Sequence, residues 1–176
     1  MNYHKIEKTS IANGPGVRCV LWVSGCSLHC KGCHNPETWS FNSGRPFDNE
    51  AKQELFDTLS QPWIQGITLS GGHPLESHNL VGVHNLIYSI KKNFPQKDIW
   101  LYTGLTLSID DFDLLSRNRL LYDLRRHVIS MCDVIVDGPY IESQRDITLS
   151  FRGSKNQRLI DVQKTFSNGE ITLYET

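Results

Sequence analysis

Three cysteines within eight residues, Cys26-Ser27-Leu28-His29-Cys30-Lys31-Gly32-Cys33, constrain this chain more than any other feature. The total of five cysteines is odd, which argues against a closed disulfide framework. In a reducing compartment such a knot points to metal binding or catalysis. Thiolates are soft ligands, and three on one short loop suit three corners of an iron–sulfur cubane. A structural zinc site completed by His29 or His34 is the other reading, although zinc usually takes a second, distant ligand pair. Cys19 lies in an expected strand, and Cys132 follows about a hundred residues later, so neither extends the loop. A cluster bound there keeps one iron without a protein ligand, the open position that a catalytic metal needs.

The rest of the chain sets bounds. Its 176 residues suit one domain, 1–176, and no repeat or linker divides them. With a net charge of −1, no strong field favours nucleic acid or an anionic membrane. No apolar run approaches the ~20 residues that span a bilayer. The opening residues lack the apolar segment of a secretory signal, so a cytoplasmic location is expected. The basic pairs Lys91-Lys92 and Arg125-Arg126 read as solvated helix faces.

Periodicity predicts strands alternating with helices. Strands are expected over Arg18–Val23, Gly66–Ser70, Asp98–Thr103 and Asp133–Val136, with a further short one over Ile171–Tyr174. Helices are expected over Asp48–Leu59, with Asp48 as N-cap, over Asn79–Asn93, and within Ile109–Arg126. This order implies an α/β fold with a mainly parallel sheet and flanking helices. Ligands of such sheets sit beyond the carboxyl ends of the strands. Those ends carry Gly25-Cys26, Ser70-Gly71-Gly72, Thr103-Gly104 and Asp137-Gly138, all on one expected rim.

The C-x3-C-x2-C spacing resembles the signature of the radical S-adenosylmethionine (SAM) superfamily. Asn13-Gly14-Pro15-Gly16-Val17-Arg18 is similar to the opening of glycyl-radical activating enzymes. Gly25-Cys26 through Cys33-His34-Asn35-Pro36-Glu37-Thr38-Trp39 looks like the run found in activators of anaerobic (class III) ribonucleotide reductase. Leu69-Ser70-Gly71-Gly72-His73-Pro74-Leu75, Trp100–Gly104, Val136–Tyr140 and Arg152–Arg158 resemble later stations of that family in the same order. The resemblance spans roughly Ile11 to Arg158, the expected core, and implies a partial (β/α) barrel.

The resemblance implies one [4Fe–4S] cluster on Cys26, Cys30 and Cys33, with SAM as the second cofactor. It assigns Ser70, Gly71, Gly72 and His73 to the methionyl end of SAM. Gly32, before Cys33, stands where many of these enzymes carry an aromatic residue, in agreement with this subfamily. His73 departs from the family's acidic residue, and imidazole accepts from an ammonium less strongly than a carboxylate does. Tyr102 and Thr103 end a strand at the rim. Asp137 either bonds a ribose hydroxyl or caps a turn. Arg18 is read as a carboxylate partner or a surface residue, and Trp100 as core. Arg152–Arg158 is a basic loop suited to a partner surface, an anion or plain solvation.

The implied reaction is reductive cleavage of SAM to methionine and a 5′-deoxyadenosyl radical, which takes hydrogen from a glycine of the reductase. The implied partners are the reductase's catalytic subunit and a low-potential electron donor such as flavodoxin. A pyruvate formate-lyase-type activator, a small-molecule radical SAM enzyme and a non-catalytic iron–sulfur or zinc module are the alternatives.

Overall fold

The computed structural model describes residues 1–112 and 120–175, the side chains of 120–122 excepted. Seven strands form one sheet: β1 (Asn2–Ser10), β2 (Val17–Val23), β3 (Arg45–Pro46), β4 (Ile64–Gly71), β5 (Asp98–Tyr102), β6 (Val134–Asp137) and β7 (Arg158–Asp161). Four α-helices are described: α1 (Asn49–Leu59), α2 (Ser77–Asn93), α3 (Leu120–Met131) and α4 (Val162–Asn168).

The strand order is β3-β1-β2-β4-β5-β6-β7. The inner four strands, β2, β4, β5 and β6, are parallel to one another. β1 and β3 add antiparallel strands at one edge, and β7 adds one at the other. The expectation of a mainly parallel sheet is therefore corrected to a mixed sheet. Its physical reason lies in the edges. β1 has only two buried positions, Tyr3 and Ser10, so its sequence lacks the apolar run that marks an inner strand. The expected strand over Ile171–Tyr174 is reduced to an isolated bridge between Leu173 and Ile160. Of the helical region expected within Ile109–Arg126, residues 113–119 lie outside the described residues.

Side chains alternate across the sheet. Ile99, Leu101, Ile135 and Ile160 join the main core, where they meet Leu55 and Leu59 of α1, Leu80 and Ile87 of α2, Val128 of α3 and Val162 of α4. Each fully buried aliphatic side chain contributes about 1.5–3 kcal/mol. Trp100, Val134, Val136 and Leu159 alternate with that set and form a smaller cluster with Phe151 and Tyr174. Asp48 caps α1 as expected, its carboxylate accepting from the Ala51 amide at 2.9 Å.

Arg18 belongs neither to a ligand nor to the surface. It is completely buried, paired with Asp98 and bonded to Thr68 Oγ1 and the Ile67 carbonyl, each at 2.9 Å. Its guanidinium also lies over the Trp100 ring. Thr68 Oγ1 in turn donates to the Asn13 carbonyl at 2.7 Å, so this buried cation fixes the loop that precedes β2. Arg126 is likewise buried rather than solvated, and Lys91 pairs with Asp133.

Candidate functional site

β2 runs parallel to β4, and their last residues, Val23 and Gly71, lie side by side. Both chains then leave the sheet at the same rim. The Gly72 amide donates to the Val23 carbonyl and the His73 amide to the Gly25 carbonyl, both at 2.8 Å. These bonds seat the glycine turn directly on the base of the cysteine loop. The approach demands glycine: a Cβ on Gly72 would lie 2.7 Å from the Gly25 carbonyl oxygen. Gly71 has φ +95°, a conformation that side chains rarely adopt.

The cysteine loop is closed at its base. The Gly25 amide donates to the Thr38 carbonyl at 2.7 Å, and the Cys26 amide to the Trp39 carbonyl at 3.0 Å. Between these ties the backbone turns through His29 (φ +46°) and Gly32 (φ +75°), and the Cys33 amide bonds the Cys30 carbonyl at 3.1 Å. Cys26, Cys30 and Cys33 are all half-buried. Burial pushes the Cys26 thiol up, while amides of Leu28 and His29 directed at its sulfur act in the opposite sense. The Asn35 amide bonds Cys33 Sγ at 3.4 Å.

Sulfurs that face backbone donors suit anionic thiolate ligands, because hydrogen bonds to sulfur stabilise the charged form. Among the described residues no three His, Cys, Asp or Glu side chains converge on one metal-ion position. A cubane does not require that, since each of three thiolates binds a different iron. The donor set therefore fits a [4Fe–4S] cluster.

The three cysteines open on a cavity of about 460 Å³. Ser70, Gly71, Gly72, His73, Tyr102 and Thr103 line it as well, so the structure brings nine of the eleven residues singled out in the sequence onto one wall. Gly32 and Asp137 stand off that wall. Gly32 serves the loop's reversal, where a Cβ would press on Glu142 and Tyr140. Asp137 is wholly buried and grips Arg158, with Arg158 Nε donating to Oδ1 at 3.0 Å and the Leu107 amide to Oδ2 at 2.9 Å. These bonds tie the end of β6 to Arg158 and to the Leu107 backbone.

His73 is nearly buried, and burial pushes its pKa down, which leaves the imidazole neutral. Its Nε2 lies 2.7 Å from Thr103 Oγ1, linking the ends of β4 and β5. Its Nδ1 lies 3.5 Å from Glu76 Oε2, without good hydrogen-bond alignment. Sequence reasoning missed Glu76 and Asn79. Glu76 occupies the N-cap position of α2, yet its carboxylate reaches Ser27 instead of capping the helix. Asn79 is fully buried and donates to the Ser24 carbonyl at 2.8 Å and the His73 carbonyl at 3.1 Å. A polar residue on the otherwise apolar face of α2 was the available signal. Tyr140, Phe151 and, from the basic loop, Arg152 and Gly153 also line the cavity.

The chain matches the family described as a 4Fe-4S single cluster domain over residues 12–160. It is 41% identical over 159 residues to the anaerobic ribonucleoside-triphosphate reductase-activating protein of Vibrio cholerae, covering 89% of this chain and 96% of that one. The protein of the same name from Escherichia coli K12 is 40% identical with the same coverage. That of bacteriophage T4 is 41% identical, over 90% of this chain and 93% of the phage protein. With its cysteine loop seated on a glycine turn and relatives matched over nearly their whole length, this chain belongs to the family of anaerobic ribonucleoside-triphosphate reductase-activating proteins.

Proposed function

We propose that this chain activates an anaerobic ribonucleoside-triphosphate reductase by generating a glycyl radical on its catalytic subunit. The observation that carries the reading is the seating of the cysteine loop on the Gly71–Gly72 turn at one cavity wall. Cys26, Cys30 and Cys33 hold the [4Fe–4S] cluster. Ser70, Gly71, Gly72 and His73 receive the methionyl end of SAM, and Tyr102 and Thr103 bound the same pocket. When bound, the cluster supplies the electron for reductive cleavage of SAM.

The chain's own residues prepare that chemistry. The ties of Gly25 and Cys26 to Thr38 and Trp39 fix the cysteine loop before any ligand arrives. His73, neutral and bonded to Thr103, offers a polar group without adding a buried charge. Gly32 gives the loop its reversal, and Asp137 acts as a positioning residue through Arg158. A macromolecular substrate whose glycine segment enters this cavity would complete the enclosure and exclude water.

The finer reading is one domain, with a core over about 11–158, built as a partial (β/α) barrel of radical SAM type. A low-potential protein such as flavodoxin supplies the electron, and the protein works in the cytoplasm. Among the described residues no helix is long and apolar enough to cross a membrane.

Anaerobic purification tests the reading. The expected result is a brown protein with about four irons per chain that releases 5′-deoxyadenosine from SAM once reduced. A colourless protein with one zinc and no SAM cleavage would overturn it.

A further inference from the structure

His84 of α2 and His127 of α3 face each other across the helix pair, with His84 Nε2 3.0 Å from His127 Nδ1. Their ring centroids are 5.0 Å apart and the rings are tilted by 43°. Among the described residues this is the one place where two imidazoles meet. Neither ring lines the cavity of the cysteine loop. Asn85 settles where the protons sit. Its Oδ1 can only accept, so His84 Nδ1, 3.2 Å away, is the donor. In the neutral ring Nε2 then carries the lone pair, and that lone pair is aimed at His127. His127 Nδ1 donates the proton that bridges the two rings.

Packing holds the two residues together before any ligand arrives. His84 follows Val83 and precedes Ile87 by one turn, and His127 precedes Val128. Val83, Ile87 and Val128 are fully buried in the main core, so α2 and α3 are fixed by their apolar faces rather than by the imidazoles. A ligand therefore meets donors whose backbone is already ordered. The rings themselves stay within reach of solvent, His127 exposed and His84 half-buried. Asp123, also exposed, stands one helical turn before His127 on the same face of α3 and adds negative charge there.

The spacing is that of two ligands on one ion. With metal–nitrogen bonds of about 2.0–2.1 Å, neighbouring imidazole ligands place their nitrogens about 2.9–3.4 Å apart. The bond from His84 Nδ1 to an acceptor oxygen is also the support that metal-ligating histidines carry on their far nitrogen. We propose that His84 and His127 form a metal site separate from the cysteine loop, a solvent-facing imidazole pair that binds Zn²⁺. Among the described residues no third His, Cys, Asp or Glu converges on that position, so water completes the coordination. On binding, the ion takes the place of the bridging proton. His127 loses the proton on Nδ1 to water and gains one on Nε2, so both rings stay neutral and no net proton is released. The bound ion ties α2 to α3.

The experiment is calorimetric titration of Zn²⁺ alone, without oxygen, into the tag-free, cluster-loaded chain. The same titration is made on its His84→Gln, His127→Gln and double variants, with iron content followed throughout. The expected result is one zinc per chain, bound well below millimolar concentration and without loss of iron. Each single variant is expected to weaken binding by about tenfold or more, and the double variant to abolish it. Either single variant suffices if the other fails to fold. A chain with Cys26, Cys30 and Cys33 all replaced by Ala keeps both helices, and the same zinc binding is expected of it whether or not the wild type holds a cluster. Wild type that binds no zinc in this range overturns the site, as does a double variant that binds like wild type. Zinc uptake that occurs only as iron is lost, or that vanishes with the cysteines, places the ion on the cysteine loop and overturns it too.

Discussion

Glu76 Oε2 accepts from Ser27 Oγ at 2.9 Å and so fastens the first turn of the cysteine loop to the start of α2. The same oxygen lies 3.3 Å from the Ser27 amide and 3.5 Å from His73 Nδ1. One carboxylate thus touches the cysteine loop and the residue that follows the glycine turn. Glu76→Gln keeps the shape and removes the charge that these donors face. The expected cost is about 1 kcal/mol of stability, or a Tm lower by about 2–4 °C. Loss of the cluster to an iron chelator, followed by its visible absorbance, is expected to be severalfold faster. Chelation at the wild-type rate would show that the loop does not depend on this tie.

The glycines separate backbone from side-chain obstruction. A Cβ on Gly72 would press against the Gly25 backbone, with its nearest contact at 2.7 Å, and neither chain can retreat without parting the turn from the loop. A Cβ on Gly104 would lie closer still to its neighbour, 2.2 Å from Leu28 Cδ1, but that is the far end of an exposed, flexible side chain. Gly72→Ala is expected to abolish cluster retention. Gly104→Ala is expected to keep it, with Leu28 displaced over the cavity. Iron content after anaerobic reconstitution reads both outcomes.

Arg18 predicts a stability effect without a direct effect on chemistry. Arg18→Met strands Asp98 without its partner and leaves Thr68 and the Ile67 carbonyl with unmet bonds. Asp98 retains some solvent contact, so the expected cost is about 2–4 kcal/mol. Chemical denaturation measures it as a lower midpoint at constant slope. A cost below about 0.5 kcal/mol, the range of ordinary surface substitutions, would contradict the structural role.

His73 gives a pH dependence. Burial lowers its pKa from the ordinary value of 6.5, so between the folded value and 6.5 the unfolded chain binds more protons than the folded one. Stability contributed by the neutral ring is complete above that window and declines as pH falls through it. His73→Asn has no proton to take up there, so its stability is expected to fall less steeply on acidification from about pH 7 to pH 5. Denaturation midpoints measured at several pH values test the difference between the two slopes. Identical slopes would contradict a buried neutral imidazole.

Much of this arrangement was legible in the sequence because the inner strands are apolar runs that end in glycine. Cys19–Val23, Ile67–Leu69, Ile99–Leu101 and Val134–Val136 announce themselves locally, and their ends place Cys26, Gly71 and Thr103 on one rim. The edges did not. Asn2–Ser10 is largely polar and becomes a strand only by pairing with β2. Residues whose role depends on distant partners were equally hidden. Glu76 meets Ser27 across 49 positions, Asn79 meets Ser24 across 55, and Arg18 meets Asp98 across 80. Asp137 at a strand end left a ribose contact and a turn cap both open, and its bond to Arg158, 21 residues later, was not visible locally.

The cysteines themselves divide by environment. Burial pushes the Cys19 thiol up to about 12 and raises that of Cys132 as well, so both behave as small apolar core residues. Replacing either by Ala is expected to preserve iron content at some cost in stability. Replacing Cys26, Cys30 or Cys33 by Ala is expected to remove the cluster.

The central claim is activation of a reductase through this cluster. It is tested most directly by electron paramagnetic resonance after anaerobic incubation of the reduced chain with SAM and an anaerobic ribonucleoside-triphosphate reductase. The predicted result is a glycyl radical signal on the reductase with wild-type protein and none with Cys30→Ala. A fully loaded, reduced wild-type chain that gives no such signal would contradict the account.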